Sequence, residues 1–156
     1  LFEPLLFQFI LQLAGIDELN YIKRLRYVIE TNLITLKKMR AEAGHVSAID
    51  TTIPKVSKVG SRGNYDWEAI QLVEQQEKID QYQEEYDELK KEIMNNVRKM
   101  NDPVLREIII SHYIEDKELK IVAGVIGYSS HIYQLHAEAL EEYGRAKSQI
   151  ALDDLC

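Results

Sequence analysis

Cysteine is nearly absent: Cys156 is the only one in 156 residues. An internal disulfide and a cysteine-based zinc site are therefore excluded, and the expected compartment is a reducing cytoplasm. Positive charge is scarce too. Nineteen Lys and Arg stand against 26 Asp and Glu, for a net charge of −7, a poor balance for holding phosphates. The deficit is uneven. Residues 17–43 carry +2, residues 67–100 carry −4 and residues 101–156 carry −5. The apolar stretch over residues 1–14 lacks the basic flank of a signal peptide and is too short to span a membrane. Residues 1–16 read as a segment of uncertain origin: a fragment end, an over-extended start, or a helix packing on the rest.

Catalytic patterns are missing as well. His131 and His136 are five residues apart, which does not put them on one helical face as metal ligands require. Ser129, Ser130 and His131 are adjacent, but no Gly-x-Ser-x-Gly elbow surrounds them. Gly60-Ser-Arg-Gly63 is too short for a phosphate loop and lacks a following Lys-Ser/Thr. No catalytic residue, cofactor site or metal site is read, and the expectation is a protein that is not an enzyme.

What is present is helical periodicity. Ile22, Ile29, Leu36 and Ala43 repeat every seven residues, with Leu25 and Met39 at the intervening seam positions. Asn32 sits in that second row, where a polar residue can set register or oligomer state. Asp17 is a candidate cap and Gly44 a candidate stop. Leu72, Ile79, Tyr86, Ile93 and Met100 hold a second seven-residue repeat. Tyr82 and Leu89 form its other row, which Gln75 and Asn96 interrupt. Asp66 is a candidate cap for that helix. Between the two, residues 44–66 read as a loop punctuated by Pro54, Gly60 and Gly63. Its Lys55, Lys58 and Arg62 make it either a mildly basic arm or a solvated linker. Two long helices joined by one loop fold most simply as an antiparallel hairpin, and each can also pair with a second chain.

Asn101-Asp102-Pro103 marks a break and a fresh start, with Asp102 as cap and Pro103 at the first helical position. A helix is expected from about Val104 to Ile114. Two short helices then follow around a tight turn, beginning near Lys117 and resuming near Ser130. Ala123 is small where helices would cross, Gly127 sits where the first must stop, and Ser129 can cap the second. Val122, Ile126, Ile132 and Leu135 supply apolar contacts on either side. This is the pattern of a helix-turn-helix, whose second helix often enters the DNA major groove. Gln134 can read adenine and Ser130 several bases, while His131 and Tyr133 reach phosphates. Lys117, Lys120 and Arg145 are the nearby cations for backbone contacts. Gly144 is the expected end of the last helix, and residues 145–156 a weakly ordered tail.

His112-Tyr113-Ile114, Val122-Ala123, Gly127-Tyr128-Ser129, His131-Ile132-Tyr133, Leu135-His136 and Ala139-Leu140 together resemble the C-terminal block of the RinA/ArpU-like late transcription regulators of phages that infect Gram-positive bacteria. The resemblance covers roughly residues 17–143 and is most specific over 121–140. It implies a coiled-coil N-terminal half, a helix-turn-helix similar to the fourth region of bacterial sigma factors, and a link to RNA polymerase. Those proteins commonly have Arg where His112 stands and Trp where Leu119 stands. They commonly place two residues between the positions of Ser129 and His131, where this chain has one. One residue fewer turns a helix by about 100°, so either the cap shifts to restore phase or the reading face differs.

The expected architecture is all-α: an antiparallel helical hairpin over residues 17–100, then a helix-turn-helix domain over 101–143. The expected function is that of a phage or prophage transcription regulator binding double-stranded DNA through Lys117, Lys120, Ser129, Ser130, His131, Tyr133, Gln134 and Arg145. It would self-associate through residues 17–100 and make no use of a membrane. The rival reading is a coiled-coil protein-interaction module that does not touch DNA.

Overall fold

A computed structural model describes residues 3–50, 58–127 and 130–155. The chain is all-α. In order it forms α1 (Glu3–Asp50), α2 (Lys58–Arg98), α3 (Pro103–Ile109), α4 (Leu119–Ile126) and α5 (Ile132–Leu155), and a π-helical stretch, Ile110–Ile114, continues α3. No described helix is long and apolar enough to cross a membrane. The chain divides into two compact units, residues 25–85 and residues 1–24 with 86–156.

In the unit of residues 25–85, α1 and α2 run antiparallel. Ile29 and Leu36, one heptad apart, are buried together with Leu25 and Ile79. The two polar seam residues find each other: Gln75 Nε2 donates to Asn32 Oδ1 at 2.9 Å and to the Asn32 carbonyl at 3.2 Å. Asn32 Nδ2 in turn donates to the Val28 carbonyl at 2.7 Å. The seam therefore holds a satisfied polar pair, which is the condition for burying one without large cost. Farther along, Arg40 donates to Gln76 Oε1 at 3.3 Å.

The helices are longer than their punctuation suggests. Asp17 does not cap a helix start, because α1 is already four turns old there. Gly44 does not stop it either; it is exposed, with open space around its Cα, and α1 continues to Asp50. Gly60 and Gly63 lie within α2, which begins at Lys58, ahead of Asp66. A glycine inside a helix costs only about 1 kcal/mol, so neighbouring helix formers can carry the turn through it. Pro54 and Lys55 fall outside the described residues.

The other unit builds its core from all five helices. Leu19 and Ile22 of α1 meet Ile93, Val97 and Met100 of and just after α2. Leu105, Ile108, Ile109, Tyr113 and Ile114 join them, followed by Val122, Ala123, Ile132, Ala139, Tyr143 and Ala146. Each large side chain so buried contributes about 1.5–3 kcal/mol. The break before α3 is as expected: Asp102 Oδ1 accepts from the Val104 N–H at 2.9 Å and Pro103 opens the helix. Glu142 of α5 reinforces it by accepting from the N–H groups of Asn101 and Asp102 at 2.6 and 3.0 Å.

Two boundaries in this unit are corrected. Helix α5 does not end at Gly144, and residues 145–155 are no loose tail. They continue the helix, with Ala146 and Ser148 buried. Gly144 is there because α1 crosses α5 at this point. A Cβ on Gly144 would lie 2.7 Å from Gln12 Cγ and 3.0 Å from Gln12 Cα, and one on Gly15 would lie 3.3 Å from Tyr143 Cδ1. The residues before Asp17 are thus helical from Glu3 and pack on α5 through Gln12 and Gly15. At the same crossing, Glu18 Oε2 accepts from Tyr143 Oη at 2.6 Å and from Lys147 Nζ at 3.2 Å, and Asn96 Nδ2 donates to Tyr143 Oη at 3.0 Å. Burial holds the Tyr143 phenol well above its ordinary range. Partial burial and the adjacent Glu18 carboxylate raise Glu92.

Candidate nucleic-acid interface

The helix-turn-helix grows out of short-range choices. Helix α4 closes with Gly127 at φ +79°, and the Gly127 N–H donates to the Ala123 carbonyl at 2.9 Å. An L-residue with a Cβ resists that left-handed conformation. Val122 and Ala123 turn inward and are buried, with Ile126 and Leu119 partly so. Ser129, the expected cap, lies outside the described residues. Beyond it, the His131 carbonyl accepts from the Leu135 N–H at 2.9 Å, so α5 starts at Ile132, two residues later than Ser130.

Ile132 and Ala139 are buried and Leu135 half-buried against the core. Tyr133 and Gln134 are therefore on the outer face of the first turn of α5, and Ser130 and His131, just before the helix, are exposed as well. Tyr133 is 67% exposed. Four of the expected contact residues are thus exposed at or just before the N-terminal end of α5.

The expected cations are dispersed. Lys117 is engaged by Glu115 at 2.7 Å, which raises its pKa. Arg145 faces Glu141 at 3.7 Å. It also lies eleven residues beyond Gln134, about 16 Å along the helix axis. Lys120 is exposed on α4 and has no ion-pair partner among the described residues. Beside it, Ile121 and Val125 stand 55% and 71% exposed. The surface around the turn is therefore more apolar and less basic than the sequence pattern promised.

Behind this surface sits a cluster that spacing along the chain did not reveal. The π-helical stretch shifts the register by one residue, as shown by the Glu115 N–H donating to the Ile110 carbonyl at 2.9 Å. Asp116, at φ +57°, then turns the chain. Such stretches recur at functional positions. Here it directs His112 and Tyr113 toward α1 and α5. His112 Nδ1 donates to the Lys117 carbonyl at 2.8 Å, which leaves Nε2 to accept from Lys23 Nζ at 3.2 Å. Tyr113 Oη and His136 Nε2 are 2.8 Å apart. The two imidazoles lie 5.3 Å apart, centroid to centroid.

Burial lowers the pKa of both histidines. Lys23 lowers His112 further while Asp116 opposes it, and His112 and Lys23 lower His136. Burial also pushes Tyr113 up to about 12. The cluster is therefore built for neutral rings. In sequence, His112 and His136 stand out only within the family-like motif, and neither points to the other. Their partnership spans 89 residues in the case of Lys23, which no local spacing encodes. No group of three His, Cys, Asp or Glu is placed to hold a metal ion among the described residues.

Comparison with protein-family models, with curated proteins and with solved structures finds no match to this chain.

Proposed function

We propose that this chain is a DNA-binding transcription regulator of the phage late-control kind, reading double-stranded DNA with the exposed first turns of α5. The observation that carries the reading is the joint arrangement of buried Val122 and Ala123, left-handed Gly127, and buried Ile132. Beside them Ser130, His131, Tyr133 and Gln134 are each exposed. Gln134 would read a base edge, Ser130 would assist, and Tyr133 and His131 would touch the sugar-phosphate backbone. With Lys120 as the one unpaired cation of the expected set, each copy binds weakly, and specificity comes from two copies on adjacent half-sites about 34 Å apart or from RNA polymerase. The likeness of residues 112–140 to the RinA/ArpU-like regulators supports the same reading, and the location it implies is a bacterial cytoplasm.

The test is selection of random-sequence duplexes by the purified chain at moderate salt. Enrichment of one sequence, lost in Ser130→Ala with Gln134→Ala at unchanged helicity, is the expected result. Recovery of the same sequence by the double variant would remove the assigned readout.

A second reading has its own observation. Ile121, Val125 and Tyr133 expose apolar surface beside the turn, in the most acidic third of the chain. On that reading α4 and α5 dock on a protein, and no duplex is enriched while partner capture depends on Val125 and Tyr133.

A further inference from the structure

The first four turns of α1 expose large apolar side chains. At 100° per residue, Gln12, Gly15, Leu19 and Ile22 fall on the side that meets the core, where Gln12 abuts Gly144 and Leu19 and Ile22 are fully buried. A second arc, about 140° wide by the same geometry and starting beside Gln12, carries Leu5, Leu6, Phe9, Ile10 and Leu13, while Phe7, also exposed, lies outside it. Each of the five on the arc is between 47% and 66% exposed. Farther along the helix the same arc turns polar, with Asp17, Asn20 and Arg24 exposed. A surface helix normally points its apolar stripe inward; this one points a second stripe out.

We infer that a second copy of this chain docks on the outward arc of α1 formed by Leu5, Leu6, Phe9, Ile10 and Leu13, giving a symmetric dimer by helix-to-helix packing. Three observations select that occupant. The first is area. Five large apolar side chains, roughly half exposed, present roughly 500 Å². That is at the upper end of what monomers leave open, and a symmetric pair would bury roughly 1,000 Å², the threshold for a specific interface. The second is charge. The chain carries a net −7, yet from Pro4 to Ile16 it has no charged residue. Two copies can meet there with the least like-charge repulsion. The third is the charge that flanks the arc within the sequence. Glu3 stands before it, and Asp17 and Glu18 follow it ahead of Lys23, whereas an interfacial membrane helix depends on Lys and Arg beside its apolar face. The contact differs from a seam within residues 17–100 and does not depend on DNA binding.

The experiment is mass by sedimentation equilibrium on the full chain over a wide concentration range, with far-UV circular dichroism. The unaltered chain should show twice the chain mass. Phe9→Glu with Leu13→Glu should show one chain mass at unchanged helicity, and Ile70→Glu with Val73→Glu should remain dimeric. A Phe9→Cys, Cys156→Ser chain should form an interchain disulfide on mild oxidation, which tests proximity without adding charge. A monomeric unaltered chain overturns the inference. So does a dimer that survives the Phe9 and Leu13 changes, or one lost through Ile70 and Val73. A monomer that floats with phosphatidylcholine vesicles overturns it as well and assigns the arc to lipid.

Discussion

Lys23 Nζ lies 3.2 Å from Nε2 of His112, while Nδ1 of the same ring is committed to the Lys117 carbonyl at 2.8 Å. The ring can accept from the lysine only when neutral. Protonation replaces that hydrogen bond with a contact between two cations and leaves Asp116 as the nearby compensating charge. The His112 and His136 pKa values are both below the ordinary 6.5 in the folded chain. The unfolded chain therefore takes up protons first as pH falls. The stability held by these neutral rings is complete above pH 6.5 and drains away as pH drops through the folded values. A melting temperature followed from pH 8 to pH 5 should decline below about 6.5. Lys23→Met should make the decline shallower, because His112 then titrates closer to its unfolded value. An equal slope in both chains would show that Lys23 does not set the titration.

Gly144 and Gly124 make opposite predictions from the same substitution. Alanine is the better helix former by about 1 kcal/mol. Gly124 has nothing within 4 Å of an added Cβ, so Gly124→Ala should gain stability of about that size. At Gly144 the methyl would meet Gln12 Cγ at 2.7 Å and backbone Cα at 3.0 Å. The crossing of α1 and α5 must then open, and Gly144→Ala should lose about 1–3 kcal/mol. Urea unfolding of the two variants checks both signs. A gain at Gly144 would mean that the crossing is loose.

Tyr143 Oη is at once a donor to Glu18 and an acceptor from Asn96. Tyr143→Phe removes one atom and leaves a buried amide and a nearly buried carboxylate each short of a partner. The cost should be about 1–3 kcal/mol, although the ring itself is retained. Equilibrium unfolding measures it. A neutral result would indicate that water replaces the hydroxyl.

Asn32 and Gln75 should separate stability from uniqueness. Replacing either alone with Leu strands the other in the seam and should destabilise the unit of residues 25–85 by about 1–3 kcal/mol. Replacing both with Leu gives a continuous apolar seam, which should be as stable as the original or more so but should weaken the preference for one register and one strand number. Amide exchange compared with solution mass resolves the two effects. A double variant that stays fully destabilised would argue that shape, not polarity, governs the position.

Much of this architecture was written in local spacing. Seven-residue repeats such as Ile29 and Leu36 already require long helices with one buried stripe. Asp102-Pro103 and Gly127 set a helix start and a helix stop through backbone chemistry alone, because a carboxylate cap, a missing N–H and a left-handed φ act within a few residues. The outward placement of Tyr133 and Gln134 follows from the periodicity of Ile132, Leu135 and Ala139. What tertiary structure decided are the choices that local energy leaves nearly balanced. Gly44 and Gly144 look alike in sequence, and both proved to be interior to helices. Only the approach of Gln12 gives Gly144 a role, since a penalty of about 1 kcal/mol is smaller than the gain from packing α5 through Tyr143 and Ala146. The pairing of Lys23 with His112, and of Tyr113 with His136, likewise depended on the chain folding back on itself. Hydrogen bonds between residues so distant in sequence have no periodicity to announce them.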